Sequence, residues 1–381
     1  MADKIKVMTV FGTRPEAIKM APLVLELQKD ERFTEVTVVT AQHREMLDQV
    51  LEIFKITPDY DFNIMKKNQS LAEITSKVML DLGKVIQTEK PDIVLVHGDT
   101  TTSFAAGLAT FYEQSVLGHV EAGLRTWNKY SPFPEEMNRQ LTDVLTDLYF
   151  APTDKSKANL LKESHSEKDI YITGNTAIDA LQQTVKAEYH HDVLDAIKPG
   201  NRVVLVTMHR RENQGEPMRR VFKVMKDVVD AHEDVEIIYP VHLSPAVQEA
   251  AHEVLDNDPR IHLIAPLDVV DFHNLAKRSY LIMTDSGGVQ EEAPSLGKPV
   301  LVLRDTTERP EGVTAGTLRL VGTDEATVKS AMIELLDNKE SYDKMAQAKN
   351  PYGDGHAAQR IVDAIASHFD PTNNERPQDF E

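Results

Sequence analysis

The sequence predicts an α/β protein built from two doubly wound parallel-sheet domains in tandem. Three observations predict it. Short apolar runs recur along the chain, separated by amphipathic stretches of helical length, which is the pattern of β-α-β units. The runs are continuously apolar rather than alternating, as expected of strands covered on both faces. The rhythm breaks once, near residues 185–201, and restarts, and 381 residues are too many for one ordinary core.

The elements follow in order. KVMTVFG (6–12), EVTVVTA (35–41), DIVLVHGD (92–99), SVLGHVEA (115–122), LYFAPT (148–153) and IYITGN (170–175) are the expected strands of the first domain. Amphipathic stretches at 15–29, 44–54, 70–88, 100–113 and 135–147 are its helices. The segment VKAEYHHDVLDAIKPGN, 185–201, is polar, ends in Pro-Gly and reads as the linker region. Strands resume with RVVLVTMH (202–209), VEIIYPVH (235–242), IHLIAPL (261–267), YLIMTDSGG (280–288), PVLVLRD (299–305) and LRLVG (318–322). Residues 356–369 read as one more helix, and 370–381, closing on NNERPQDFE, as a disordered tail. The expected domains are therefore 1–175 and 176–355, with no internal repeat.

Composition narrows the function. Hydrophobic content of 41% and charged content of 27% are those of a soluble globular protein. The N-terminal apolar run is too short for a signal peptide and no window is long enough to span a membrane, so a cytoplasmic protein is expected. With no cysteine, disulfides, thiolate metal sites and cysteine nucleophiles are excluded. A net charge of −19 argues against a nucleic-acid partner, but leaves room for a small anion held by a few local cations.

In an open parallel sheet the ligand sits at the carboxyl ends of the strands, so the polar residues that follow each strand carry the function. Ser286, Gly287 and Gly288 join a strand to a helix-like stretch, where bare backbone N–H groups and a helix start suit a phosphate. They also suit an ordinary N-cap and turn. Glu292, one turn in, is placed to accept hydrogen bonds from a ribose, and Arg309 to face a diphosphate. After the first strand, FGTRPEAIK lacks the G-x-G-x-x-G of a dinucleotide site and carries Arg14 and Lys19 instead. A cation at a helix start, as Arg14 is, calls for a nearby anion, whereas Lys19 alone reads as a solvated helix residue. Asp99, Glu121 and Glu135 each suit a cap or turn, but they follow strands on the ligand-facing edge of one domain, and as a cluster suggest acid–base chemistry. His209, beside Arg210 and Arg211, is a candidate phosphate donor or general acid. His190 and His191 lack further ligands, so no metal is expected.

Together FGTRPEAIK, HGDTTT, GHVEAGLRT, PFPEEMNR, HRREN and TDSGGVQEEAPSLGKPVLVLRDTTERPE resemble the non-hydrolysing UDP-N-acetylglucosamine 2-epimerases, over residues 4 to 369. The resemblance implies a GT-B-like architecture, with two Rossmann-like domains facing a central cleft, the helix 356–369 returning to the first domain, and a homodimer. It implies interconversion of UDP-GlcNAc and UDP-ManNAc by elimination of UDP to 2-acetamidoglucal and re-addition, supplying ManNAc units for cell-surface polysaccharide, with no cofactor. A GT-B glycosyltransferase or a hydrolysing epimerase using UDP-GlcNAc are the alternatives.

Carried over by motif, Asp99, Glu121, Glu135, His209 and Lys19 match catalytic positions. Arg14, Leu267, Phe272, Ser286, Gly287, Gly288, Glu292 and Arg309 match positions that bind UDP and sugar. Gln42, His43, Gln69, Glu136, Arg210 and His242 resemble a second, allosteric UDP-GlcNAc site, and Asn68 stands where some regulated members carry arginine.

Overall fold

The computed structural model describes residues 4–41, 44–66, 69–256 and 258–381. They form two compact units, Met1–Ala180 with Gly353–Glu381, and Leu181–Tyr352.

Seven described strands make the sheet of the first unit: β1 (Ile5–Phe11), β2 (Phe33–Val39), β3 (Tyr60–Asp61), β4 (Ile93–His97), β5 (Val116–Val120), β6 (Leu148–Ala151) and β7 (Ile170–Ile172). Their order is β3-β2-β1-β4-β5-β6-β7, every pair parallel. The chain runs outward from β1 to one edge, then returns to β4 on the other side, so β1 and β4 flank a topological switch point. In the second unit, β8 (Arg202–Thr207), β9 (Val235–Pro240), β10 (Ile261–Ile264), β11 (Leu281–Thr284), β12 (Val300–Val302) and β13 (Leu318–Leu320) take the order β10-β9-β8-β11-β12-β13, again parallel. Here the switch lies between β8 and β11. The expected fold class, two doubly wound sheets, is the one observed.

Both faces of each sheet are covered, which explains why the strands lack alternation. In the first unit one face packs Met20, Leu23 and Val24 against Phe150, and the other packs Val78 and Leu82 against Val94 and Ala105. The helix Ala357–Phe369 joins the former cluster through Ile361, Val362 and Ile365, each contributing about 1.5–3 kcal/mol of burial. Asp179 caps its start, accepting from the N–H groups of Ala357 (3.2 Å) and Ala358 (2.8 Å).

The structure departs from the sequence reading in three places. The tail 370–381 is not disordered: Phe380 N–H donates to the Ile172 carbonyl at 2.7 Å, and Ile172 N–H to Asp379 at 3.0 Å. The Arg376 guanidinium lies over the Tyr171 ring and donates to the Lys168 and Ile170 carbonyls. The tail thus covers the open edge of β7, where it satisfies backbone groups that would otherwise face solvent. The polar segment 185–201 contains a short helix, Asp192–Ala196, whose Val193 is buried in the second unit, so it belongs to that unit's body. The two-residue β3 and the helices Asp154–Lys162 and Thr176–Thr184 carry too few apolar residues to register as periodic patterns.

Candidate active site

The residues that follow β1, β4 and β5 converge. Thr13 caps the helix Arg14–Lys29, and Glu16 reaches back over the cap, accepting from the N–H of Gly12 (3.0 Å) and Thr13 (2.7 Å). The same carboxylate takes the hydroxyls of Thr100 (2.6 Å) and Ser103 (3.1 Å), which open the helix after β4. Glu16 therefore locks the two switch-point loops to each other. Burial pushes its carboxyl above the usual range, against the pull of those hydrogen bonds. Sequence reasoning passed over Glu16, although the Thr-x-x-Glu spacing of a capping box was there to be seen.

Glu121 follows β5 with φ +67°, a conformation that costs a non-glycine residue about 1–2 kcal/mol and is retained where the surroundings enforce it. Its N–H and that of Ala122 both donate to the Phe150 carbonyl. Its carboxylate pairs with Lys19, accepts from Asn175 Nδ2 at 3.0 Å and lies 3.5 Å from Arg139. Arg139 is buried; it also donates to the Glu121 carbonyl at 2.7 Å and pairs with Asp99. One guanidinium thus ties two of the expected carboxylates together, while Glu135 opens the same helix, Glu135–Leu145, one turn earlier.

The electrostatics separate the three acids. Burial works against the charge on Glu121, but Lys19 and Arg139 outweigh it and hold the carboxyl well below the usual range. A carboxylate so stabilised is a weak proton acceptor. Asp99 is a third exposed although it shares Arg139 with Glu121, and Glu135, partly exposed, makes no side-chain hydrogen bond among the described residues. Beside them, burial pushes the His97 imidazole down to about 3, so it is neutral, and its Nε2, 3.9 Å from Glu121, has no hydrogen-bond partner among the described residues. Lys19 is no solvated helix residue here.

A buried network props up the turns. His119 meets Asp143 through Nδ1 (2.6 Å) and the Gly98 carbonyl through Nε2 (2.7 Å). Asp143 also takes Arg125 (2.6 Å) and the N–H of Gly123 (3.2 Å), and Arg125 continues to Glu163. Gly123 needs to be glycine: its φ is +84° and an added Cβ would collide with the Ser156 carbonyl.

In the second unit the switch between β8 and β11 gathers the other expected residues. Asp285, fully buried, accepts from the N–H of His209 (3.0 Å) and Arg210 (2.9 Å) and from Asn213 (3.0 Å). Arg210 returns a bond from Nε to the Asp285 carbonyl at 2.8 Å. The His209 ring stacks on His242, centroids 5.2 Å apart, and burial, with His242 and Arg210 nearby, lowers its pKa despite Asp285. Ser286 stands at the N-cap position of the helix Gly287–Glu292, with no capping hydrogen bond from its side chain. Arg309 donates to Glu291 at 2.8 Å, which lays its guanidinium against Gly287; a Cβ there would sit 2.6 Å from it. At Gly288 a Cβ would meet only Glu292, at 3.8 Å. Leu267 and Phe272 are partly buried at the edge of the core formed by Leu275 and Val289.

The expected second-site residues divide differently. Glu136 is buried, with its carboxylate already accepting from the N–H groups of Thr126 and Trp127 (both 2.9 Å) and from Gln140 (2.8 Å). It orders that loop and has little left to offer a ligand. Gln69 accepts from Lys66 N–H at 3.3 Å in the first unit, and Arg210 and His242 lie in the second. Gln42 and His43 lie outside the described residues. His190 is not without neighbouring acids as the sequence suggested: Asp192 and Asp195 come within 4.8 Å of it, all three exposed. Among the described residues no helix is long and apolar enough to cross a membrane.

Comparison with known proteins agrees with this geometry. The family model described as UDP-N-acetylglucosamine 2-epimerase matches residues 25–366. The UDP-N-acetylglucosamine 2-epimerase of Bacillus subtilis (strain 168) is 60% identical over 377 residues, 99% of each chain. A Listeria monocytogenes structure carrying the same enzyme name superposes with a TM-score of 0.95 at 63% identity, covering 100% of both chains. The Neisseria meningitidis UDP-GlcNAc 2-epimerase, whose structure is bound to UDP-GlcNAc, gives 0.85 at 49% identity, covering 95% of this chain and 100% of that one. The chain belongs to the UDP-N-acetylglucosamine 2-epimerase family of isomerases.

Proposed function

We propose that this chain inverts C2 of UDP-GlcNAc to give UDP-ManNAc, reversibly, by eliminating UDP and adding it back. A base takes the C2 proton, the C1–O bond breaks with its electrons leaving on the diphosphate, and 2-acetamidoglucal remains. A proton then returns to C2 from the opposite face as UDP re-adds at C1. The observation that carries this reading is the Lys19–Glu121–Arg139–Asp99 constellation at the β1/β4 switch. It combines fixed cations with an accessible acid, Asp99, and the helix that carries Arg139 begins with a second, Glu135, for a sugar that has to lose and regain a proton. Glu121 keeps Lys19 and Arg139 in place. The backbone of Ser286–Gly288 and Arg309 face the diphosphate and stabilise it as a leaving group, with His209 as a further donor. Leu267 and Phe272 bracket the uracil and Glu292 takes the ribose.

Turnover in D₂O is expected to place deuterium at C2, and ¹⁸O in the C1–O bridge to scramble into non-bridging diphosphate positions. Epimerised product with neither label change would refute elimination and re-addition. Proton NMR of the same mixture separates the rivals, since a hydrolysing enzyme accumulates free ManNAc and a glycosyltransferase leaves C2 untouched.

The room at Gly288 makes it a clean probe of the phosphate contact. Gly288→Val is expected to melt near the wild-type temperature yet bind UDP about 10–100-fold more weakly, the effect of losing one hydrogen bond to a charged group. Undiminished UDP affinity in calorimetry would remove these glycines from the phosphate site.

The reading extends to a cytoplasmic homodimer that supplies ManNAc units for cell-surface polysaccharide. In support of a second copy as partner, Leu80, Phe111, Leu141 and Val144 are exposed on the helices Leu71–Glu89, Thr101–Tyr112 and Glu135–Leu145, which pack side by side. Val144→Asp should then sediment as a monomer; an unchanged sedimentation coefficient would move the interface elsewhere.

A further inference from the structure

The two carboxylate oxygens of Glu292 are in different situations. Oε2 lies 3.2 Å from Nε2 of His273. Oε1 takes no hydrogen bond among the described residues and faces Gly288, whose added Cβ would lie 3.8 Å from it. His273 is 2% exposed, and its Nδ1 lies 2.7 Å from the hydroxyl of Thr184. A carboxylate oxygen accepts, so Nε2 donates to Glu292, while on the other side of the ring the Thr184 hydroxyl, which also reaches the Leu181 carbonyl at 3.1 Å, meets Nδ1. The ring is thus held from both sides, by Thr184 and by Glu292. The next residue on the same helix, Asn274, donates to the Thr184 carbonyl at 2.9 Å and accepts from Lys186 N–H at 2.9 Å. The helix Val269–Arg278, which also carries Phe272, is thereby stitched to residues 184–186 at the start of the second unit.

We propose that His273 is a positioning residue for nucleotide recognition, holding Glu292 so that one oxygen is turned to the ribose diol of a uridine nucleotide before the ligand arrives. The proposal rests on the reading of Glu292 as the ribose contact. An unrestrained glutamate has several rotamers to lose on binding, and a carboxylate fixed in advance loses fewer. A histidine that served packing alone would affect every ligand of the unit alike, whereas one that aims Glu292 affects only ligands bearing the ribose hydroxyls.

The test compares UDP with 2′,3′-dideoxy-UDP by titration calorimetry on the full chain. His273→Phe is expected to weaken UDP about tenfold, the worth of one hydrogen bond to a charged group, while leaving dideoxy-UDP unchanged, and to raise KM more than it lowers kcat. Thr184→Val, which keeps the shape and removes the hydroxyl, should narrow the same discrimination to a smaller extent, and it serves should His273→Phe fail to fold. Equal losses for both ligands, or wild-type discrimination in a folded variant, would overturn the proposal. Glu292→Gln is the control. If it discriminates as wild type does, the ribose assignment itself is at fault and the proposal falls with it. If it loses discrimination while the His273 and Thr184 variants keep theirs, the positioning role alone is wrong.

Discussion

Asp99→Asn and Glu135→Gln are each expected to lower turnover of UDP-GlcNAc by roughly 10²–10⁴-fold, the usual range for a general acid or base, with UDP affinity and melting temperature nearly unchanged. Both side chains are partly open, and neither is the sole partner of a buried cation. Glu121→Gln is expected to behave differently. It should lose turnover to a similar degree and also about 3–5 kcal/mol of stability, because the buried Lys19 would lose its carboxylate and Arg139 would keep only Asp99 of its two. Kinetics, UDP calorimetry and thermal melts on the three variants check this in one experiment. Near-wild-type turnover in both Asp99→Asn and Glu135→Gln would reduce those acids to helix caps. An undiminished melting temperature in Glu121→Gln would show that its ion pairs do not hold the site together.

Asp143→Ala should cost about 3–5 kcal/mol of stability. It is fully buried and is the common acceptor for His119, Arg125 and the N–H of Gly123, so removing it strands all three. In a unit of this size that corresponds to a fall in melting temperature of about 6–20 °C. Turnover should fall as well, because His119 holds the Gly98 carbonyl beside Asp99, and Gly123 sits two residues after Glu121. The pH dependence has a definite sign. Burial opposes the charge on Asp143, but His119 and Arg125 prevail and lower its pKa in the folded state. Its contribution is therefore present above the ordinary carboxylate range and is lost as pH falls through the depressed folded value. The gap between wild type and Asp143→Ala should narrow in acid; a gap that widened there would contradict the assigned charge state.

Much of this protein was legible in its sequence, because the signals are local. Continuous apolar runs such as IVLVH at 93–97 announce strands buried on both faces, and the amphipathic stretches between them announce the covering helices. Thr13, Gly98, Glu121 and Ser286 follow strands and could be singled out because parallel sheets bind ligands at that end. Their long, ordered motifs also carried the family resemblance, which the comparisons bear out.

What only the tertiary structure decided are relations between residues far apart in the chain. Strand order is one: nothing local places β4 beside β1 or β11 beside β8, yet those adjacencies create the switch points. Partner sets are another. Lys19 reads as a surface residue until the fold brings Glu121 to it from 102 positions away, and Asp285 acquires His209 and Arg210 as partners from 76 and 75 positions away. Arg139, Asp143, His119 and His273 had no distinguishing motif, since a buried polar side chain is recognised by what it bonds and not by its neighbours in sequence. The tail failed for the same reason: its composition is that of a disordered segment, and its order comes from an open edge at β7 some 200 residues earlier. Sequence thus specified which segments would be strands, helices and ligand-facing turns, whereas the charge state and role of each acid depended on desolvation and ion pairing that exist only once distant segments meet.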